Sequence, residues 1–189
     1  VSYRSGLYVN SLHNEGWEIE FVPNNSTSMK KVHFTVFNTK GYPTTSEDID
    51  IPIGKFSELA GTFDGNTVKM FVDGVLKSET PFVGNYSGAV DHNNFFKAAG
   101  EPYCFCRDIN DNTIFDEIRY YNYSLNSQQV KQINNHSSDI LGKGLVGYWK
   151  FDQNLKDDSQ FKNNMFYNTP VASMAFAPDG RLFYTEKNS

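Results

Sequence analysis

Two pairs of carboxylates have types and spacing that could do chemistry: Glu18 with Glu20, and Asp48 with Asp50. Residues two apart on a strand point to one face. A retaining glycosidase needs two carboxyl groups about 5–5.5 Å apart, one protonated and one ionised. Glu18 and Glu20 lie in Gly16–Val22, which alternates apolar and polar as a strand does, whereas Asp48 and Asp50 lie in a polar stretch. Solvent-facing positions on a strand and in a loop account for all four acids, because a carboxylate pair without further machinery is not a catalytic site. The expectation is therefore a chain that is not an enzyme.

Other groups could bind without reacting. Asp108, Asn110, Asp111 and Asn112 crowd side-chain oxygens into five positions, and calcium takes six to eight oxygen ligands. The run has neither the glycine nor the later bidentate Glu of an EF-hand loop, and Asx side chains that bond their own backbone in turns explain it as well. A pyranose has an apolar face and a hydroxyl rim, so a sugar site uses aromatic platforms beside hydrogen-bonding groups. Trp17, Tyr42, Tyr86, Tyr103 and Phe105 stand in or beside loops and are the ring candidates. Cys104 and Cys106 flank Phe105, and His13, His33, His92 and His136 show no zinc spacing, so unreactive thiols are expected.

The elements that would position these groups are short strands. Val68, Met70 and Val72 alternate with Thr67, Lys69 and Phe71, which places one apolar row on a core. Phe56–Phe63 and Thr67–Val72 flank Asp64-Gly65-Asn66, and Asp73-Gly74 follows at once. Asp-Gly and Gly-Asn pairs tolerate positive φ and make tight turns, so this is read as a hairpin followed by a second turn. Further strands are expected at Gly16–Val22, Lys31–Asn38, Val75–Glu79, Phe95–Ala99, Thr113–Tyr121 and Leu145–Phe151, with Asn38–Asp50 as a long loop. Asn126 reads as the N-cap of one short helix, Ser127–Asn134. Ala172–Thr185 holds two strand-like pieces around Pro178-Asp179-Gly180. Many strands at this spacing predict an all-β antiparallel sandwich.

Composition sets the outer bounds. The 189 residues suit one domain or one domain with fragments of its neighbours. Aromatic residues form 15% of the chain, which suits cross-strand packing. The formal charge is −5, with Lys and Arg scattered singly, so no basic stripe offers itself to nucleic acid. No apolar run approaches the roughly 20 residues of a membrane-spanning helix, so no membrane insertion is expected. The chain starts at Val1 with no visible signal peptide and is read as an excerpt of a longer or processed protein. Asn24, Asn25, Asn85, Asn122 and Asn135 each head an Asn-x-Ser/Thr sequence, as surface turns of a secreted protein do.

The hairpin Leu59–Gly74, with Phe115-Asp116-Glu117-Ile118-Arg119-Tyr120-Tyr121-Asn122 and the short helix after it, resembles the laminin-G-like, concanavalin-A-like jelly-roll modules. The match covers about residues 16–134. The resemblance implies a jelly-roll β-sandwich that binds glycans or glycoproteins outside the cell or at its surface. Hydrolases of that fold carry a tight Glu-x-Asp-x-x-Glu run, which Phe21-Val22-Pro23 breaks here. The family also implies a structural calcium between its opening loop and closing strand, which falls on Asp116, Asp157 and Asn163. Gln160 and Met165 replace the glycines that let that loop wrap an ion.

The family's opening motifs, Tyr-Trp-x-Phe-Asp and an Asp-Ser loop, match Tyr148-Trp149-Lys150-Phe151-Asp152 and Asp157-Asp158-Ser159, which follow the helix instead of preceding Val1. Either this segment opens a second module, or it docks on the first and fills the missing strand position; docking is preferred because it would pair an open edge. The organisation is read as a sandwich over residues 1–138, the docking segment 139–168, and a tail 169–189. Ser173–Lys187 in that tail resembles the first strands of glucose/sorbosone dehydrogenase propellers, without their catalytic groups. A structural role, spacing or docking such a neighbouring sugar-oxidising domain, is the alternative to sugar binding.

Overall fold

Val68, Met70 and Val72 set the architecture, because all three are buried at 6% exposure or less. They belong to β7 (Thr67–Val72), the middle strand of a three-stranded antiparallel sheet with β6 (Leu59–Phe63) and β8 (Val75–Pro81). The computed structural model describes residues 5–9, 16–22, 26–86, 96–98, 114–135, 142–165, 171–176 and 182–186. Asp73 and Gly74 have φ of 51° and 73°, the two positive values of a type I′ hairpin turn. The Asp64 carboxylate accepts N–H bonds from Asn66 and Thr67, at 2.9 and 2.8 Å, and holds the preceding turn.

The facing sheet has six strands. β1 (Ser5–Val9), β2 (Trp17–Val22) and β3 (Met29–Phe37) form its centre, with β9 (Phe96–Ala98) beside β1. β4 (Pro43–Thr45) and β5 (Ile49–Pro52) both pair with β3, on different stretches of its nine residues. The expected long loop over Asn38–Asp50 is thus corrected: β-branched Thr44, Thr45, Ile49 and Ile51 give it two short strands. The predicted strand from Phe56 likewise begins only at Leu59, and Phe56 is exposed.

The core lies between the two sheets. Ile19, Val32, Phe34, Val36 and Ile51 from the larger sheet meet Val68, Met70 and Val72 from the smaller. Phe34 lies against Gly61 so closely that a Cβ there would come within 2.5 Å of its ring. The architecture is the antiparallel β-sandwich that the alternation predicts. The helix α1 (Ser127–Asn134) is capped by a reciprocal pair, Gln129 N–H to Asn126 Oδ1 and Asn126 N–H to Gln129 Oε1, at 2.9 and 3.0 Å. Val130 and Ile133 are its buried residues, as its spacing predicts.

By compactness the chain divides into two units, Val1–Tyr103 with Ser124–Ile140, and Cys104–Tyr123 with Leu141–Ser189. In the second unit β10 (Ile118–Tyr121) pairs antiparallel with β11 (Leu145–Trp149). Glu117 clamps that pair, accepting from Arg119 at 2.8 Å and from the Tyr148 hydroxyl at 2.9 Å. The two strand-like pieces near the C-terminus are β12 (Val171–Phe176) and β13 (Leu182–Glu186), which form an antiparallel pair.

Met70→Ala should lower unfolding free energy by about 2–5 kcal/mol, because the thioether leaves a cavity in a closed core. Ala at exposed Phe56 should cost less than about 0.5 kcal/mol. Urea denaturation followed by tryptophan fluorescence measures both.

Candidate functional site

The first unit offers two groupings, one at a loop edge and one on the polar face of the larger sheet. The edge is built around Asn38, the residue after β3, which is only 8% exposed. Its carboxamide oxygen accepts N–H bonds from Lys40 and Tyr42, at 2.9 and 3.1 Å, and its NH2 donates to the Val83 carbonyl at 3.1 Å. Thr39 N–H bonds to Asn85 C=O at 2.9 Å, and Asn38 also forms a β-bridge with Tyr86. One amide therefore fastens the turn at 39–42 to the turn at 83–86. Gly84 lies at φ +100° with its would-be Cβ 2.9 Å from Asn38 Nδ2, a position no other residue fills easily.

Large side chains project from this fastened edge. Tyr42 is 65% exposed and Tyr86 41% exposed, with exposed Val83 between them in sequence. Tyr86 packs its ring 5.2 Å from that of Phe63, which in turn lies edge-on to Phe82 at 4.7 Å. Phe63 and Phe82 pack on the core, so the Tyr86 ring stands on a rigid base. Two of the five ring candidates thus stand on the two turns that Asn38 joins. Trp17 is not among them. It is the first residue of β2 on the core side, half-buried against the hydrophobic cluster, with its ring 6.0 Å from Phe34. Tyr103 and Phe105 lie outside the described residues, as do Cys104, Cys106 and the Asp108–Asn112 run.

The polar face follows from strand register. Glu18 stands opposite Thr35, Glu20 opposite His33, and Val22 opposite Lys31. Glu18 and Glu20 are 5% and 2% exposed, which corrects their reading as solvent-facing acids. His33 explains Glu20: its Nε2 lies 3.7 Å from Glu20 Oε2, and its Nδ1 lies 2.9 Å from Asp48 Oδ1. Burial opposes protonation of this imidazole, but the hydrogen bonds and charges of Glu20 and Asp48 outweigh it and raise its pKa above 6.5. Beside it Thr35 and Thr45 share a hydroxyl bond of 2.9 Å, and Lys31 pairs with Asp50 at 3.7 Å.

The three calcium candidates fall in the second unit. Asp157 and Asn163 are joined, since Asn163 N–H donates to Asp157 Oδ2 at 2.8 Å. Asp157 is buried, while Asp116 and Asn163 are exposed.

The laminin-G-type family model described as the concanavalin A-like lectin/glucanases superfamily matches residues 1–131. The chain belongs to that superfamily. No curated protein and no solved structure matches it significantly. Membership accords with the two-sheet fold, and the superfamily's description spans both sugar binders and sugar hydrolases. No helix among the described residues is long and apolar enough to cross a membrane. Asn38 went unnoticed in the sequence, although Asn38-Thr-Lys-Gly41 is an Asx-turn signature that could have marked it.

His33 gives this module a pH-dependent stability. A raised folded pKa means the contribution is complete below about pH 6.5, the unfolded value, and is lost as pH rises through the folded pKa. Chemical denaturation should therefore show stability falling on the alkaline side of about pH 6.5, and His33→Gln should flatten that slope.

Proposed function

We propose that this chain is a non-catalytic carbohydrate-binding module of an extracellular or cell-surface protein, and that its ligand is a glycan or glycoprotein held at the Asn38 edge. The observation that carries the reading is the pair Tyr42 and Tyr86, exposed on two turns that one buried amide ties together. An aromatic ring offers the apolar face of a pyranose a flat partner, and its phenol end reaches the hydroxyl rim. The Tyr86 ring, already packed on Phe63, loses little conformational entropy when the sugar arrives. The residues around the edge add backbone and amide groups, with Lys40 as an exposed cation on the first turn.

A second reading, hydrolysis, draws on one observation: Glu18 and Glu20 are both buried on one face of β2. A carboxylate pair withdrawn from water is the raw material of a glycosidase. Against it, Glu20 already pairs with the His33 imidazole, which bonds Asp48 through its other nitrogen, as expected of a structural cluster. The neighbouring-domain reading draws on the antiparallel β12–β13 pair, the two strands expected in the propeller-like tail. It would make the module a spacer for a sugar-oxidising partner.

A glycan array, followed by affinity electrophoresis on the polysaccharides retained, tests the main reading. Tyr42→Ala and Tyr86→Ala should each weaken retention about tenfold, equivalent to about 1.4 kcal/mol, with melting temperature unchanged. Undiminished retention by the double variant would remove the edge from the site, and retention of no glycan by the native chain would end the sugar reading. Release of reducing ends that Glu18→Gln abolishes would establish the hydrolase instead.

A further inference from the structure

The calcium that the fold family implies would fall on Asp116, Asp157 and Asn163, and these residues do not fit it. Asp157 is 1% exposed, and each of its carboxylate oxygens already accepts two hydrogen bonds. Oδ1 takes the N–H groups of Tyr148 and Ser159, at 2.8 Å each. Oδ2 takes the Ser159 hydroxyl and the Asn163 N–H, also at 2.8 Å each. An ionised carboxylate offers about four lone-pair sites, so none remains for a cation. Asn163 takes part through its backbone, since its C=O accepts Trp149 Nε1–H at 2.9 Å. Among the described residues no three carboxylate, imidazole or thiol side chains are placed to hold a metal ion.

We infer that Asp157 does by hydrogen bonding what the family assigns to calcium: it fixes the loop after β11 to its own strand, and this loop needs no divalent cation. A buried carboxylate must be compensated, and converging N–H and O–H donors compensate it as a metal ion would. The donors come from both ends of the segment to be held, Tyr148 on the strand and Ser159 and Asn163 on the loop. Asn164 closes the ring by accepting the Asp157 N–H on its side-chain oxygen at 3.0 Å. Positive φ at Phe151, Gln153 and Lys162 curls the intervening backbone. Lys162 precedes the Asn163 amide, so that curl aims a donor at the carboxylate in the manner of an anion-binding backbone nest. Trp149 and Asp157 also form a β-bridge, which brings the carboxylate onto the strand it serves.

The inference does not depend on whether the Asn38 edge binds sugar, and thermal unfolding of the whole chain tests it. Melting temperature should be the same in excess calcium and in EGTA. Asp157→Asn should lower it by several degrees, equally in both conditions, because the amide replaces an acceptor with a donor facing N–H groups. Asn163→Ala should leave it unchanged, since both backbone bonds survive. Where Asp157→Asn does not fold, Ser159→Ala removes one O–H donor and should give a smaller fall, again equal in both conditions. A saturable rise of the native melting temperature with calcium, abolished by Asp157→Asn or weakened by Asn163→Ala, would overturn the inference.

Discussion

The apolar rows of β3 and β7 exclude water from each other, and that contact fixes where every other side chain of the sandwich goes. Val32, Phe34 and Val36 oppose Val68, Met70 and Val72, and each fully buried side chain of this kind is worth about 1.5–3 kcal/mol. Strand side chains alternate with a period of two, so slipping one residue would exchange the two faces entirely. Once the apolar row is committed inward, Lys31, His33 and Thr35 are committed to the opposite face, and pairing brings Glu18 and Glu20 beside them. The gathering of acids and imidazole on one surface is thus a by-product of core formation. Gly61 belongs to the same constraint, because only a missing Cβ lets the Phe34 ring lie down on β6.

Polar groups drawn inside by this packing do mechanical work. A buried polar atom without a partner costs about 1–3 kcal/mol, and the chain turns that demand into fastenings. Ser46 takes the Phe34 N–H on its hydroxyl at 3.0 Å, and Ser78 takes the Glu47 N–H at 2.9 Å. These two hydroxyls tie the segment before β5 to β3 and to β8, one strand from each sheet. Asn38 performs the same service for two turns, His33 for Glu20 and Asp48, and Asp157 for its loop. In each case one side chain with several bonding sites replaces a longer stretch of regular ladder. Loops held in this way can be short and irregular without being loose.

The parts of this arrangement that depend on neighbours in sequence could be read beforehand. The β7 alternation, the Asp73-Gly74 turn and the Asn126–Gln129 cap are all local, and each stands where its residues place it. What escaped was set by partners far along the chain. β4 and β5 are three and four residues long and become strands only because β3 supplies a ladder for both. Glu18 and Glu20 carry no local sign of burial, since that depends on His33 and the rest of the face. Trp17 stands at the loop end of its strand, and its parity with Ile19 puts it on the core side. Tyr42 and Tyr86 were recognisable as loop rings, but their association rests on Asn38, more than forty positions from Val83, to which it donates.

Membership of the superfamily fixes the fold and leaves the site to be argued from side chains, because one fold hosts many activities. The same physics separates the two candidate regions. On the polar face Glu20 answers to His33, and Thr35 to Thr45. A ligand would have to displace those bonds before making its own, and water-free carboxylates strengthen the existing pairs. At the edge the distribution is reversed. The fastening amide is buried, while Tyr42 and Tyr86 on the turns it joins stay exposed. Rigid support below and solvated aromatic surface above is the combination that lets apolar contact be gained on binding without an ordering cost, and in the first unit the described residues combine them at the Asn38 edge.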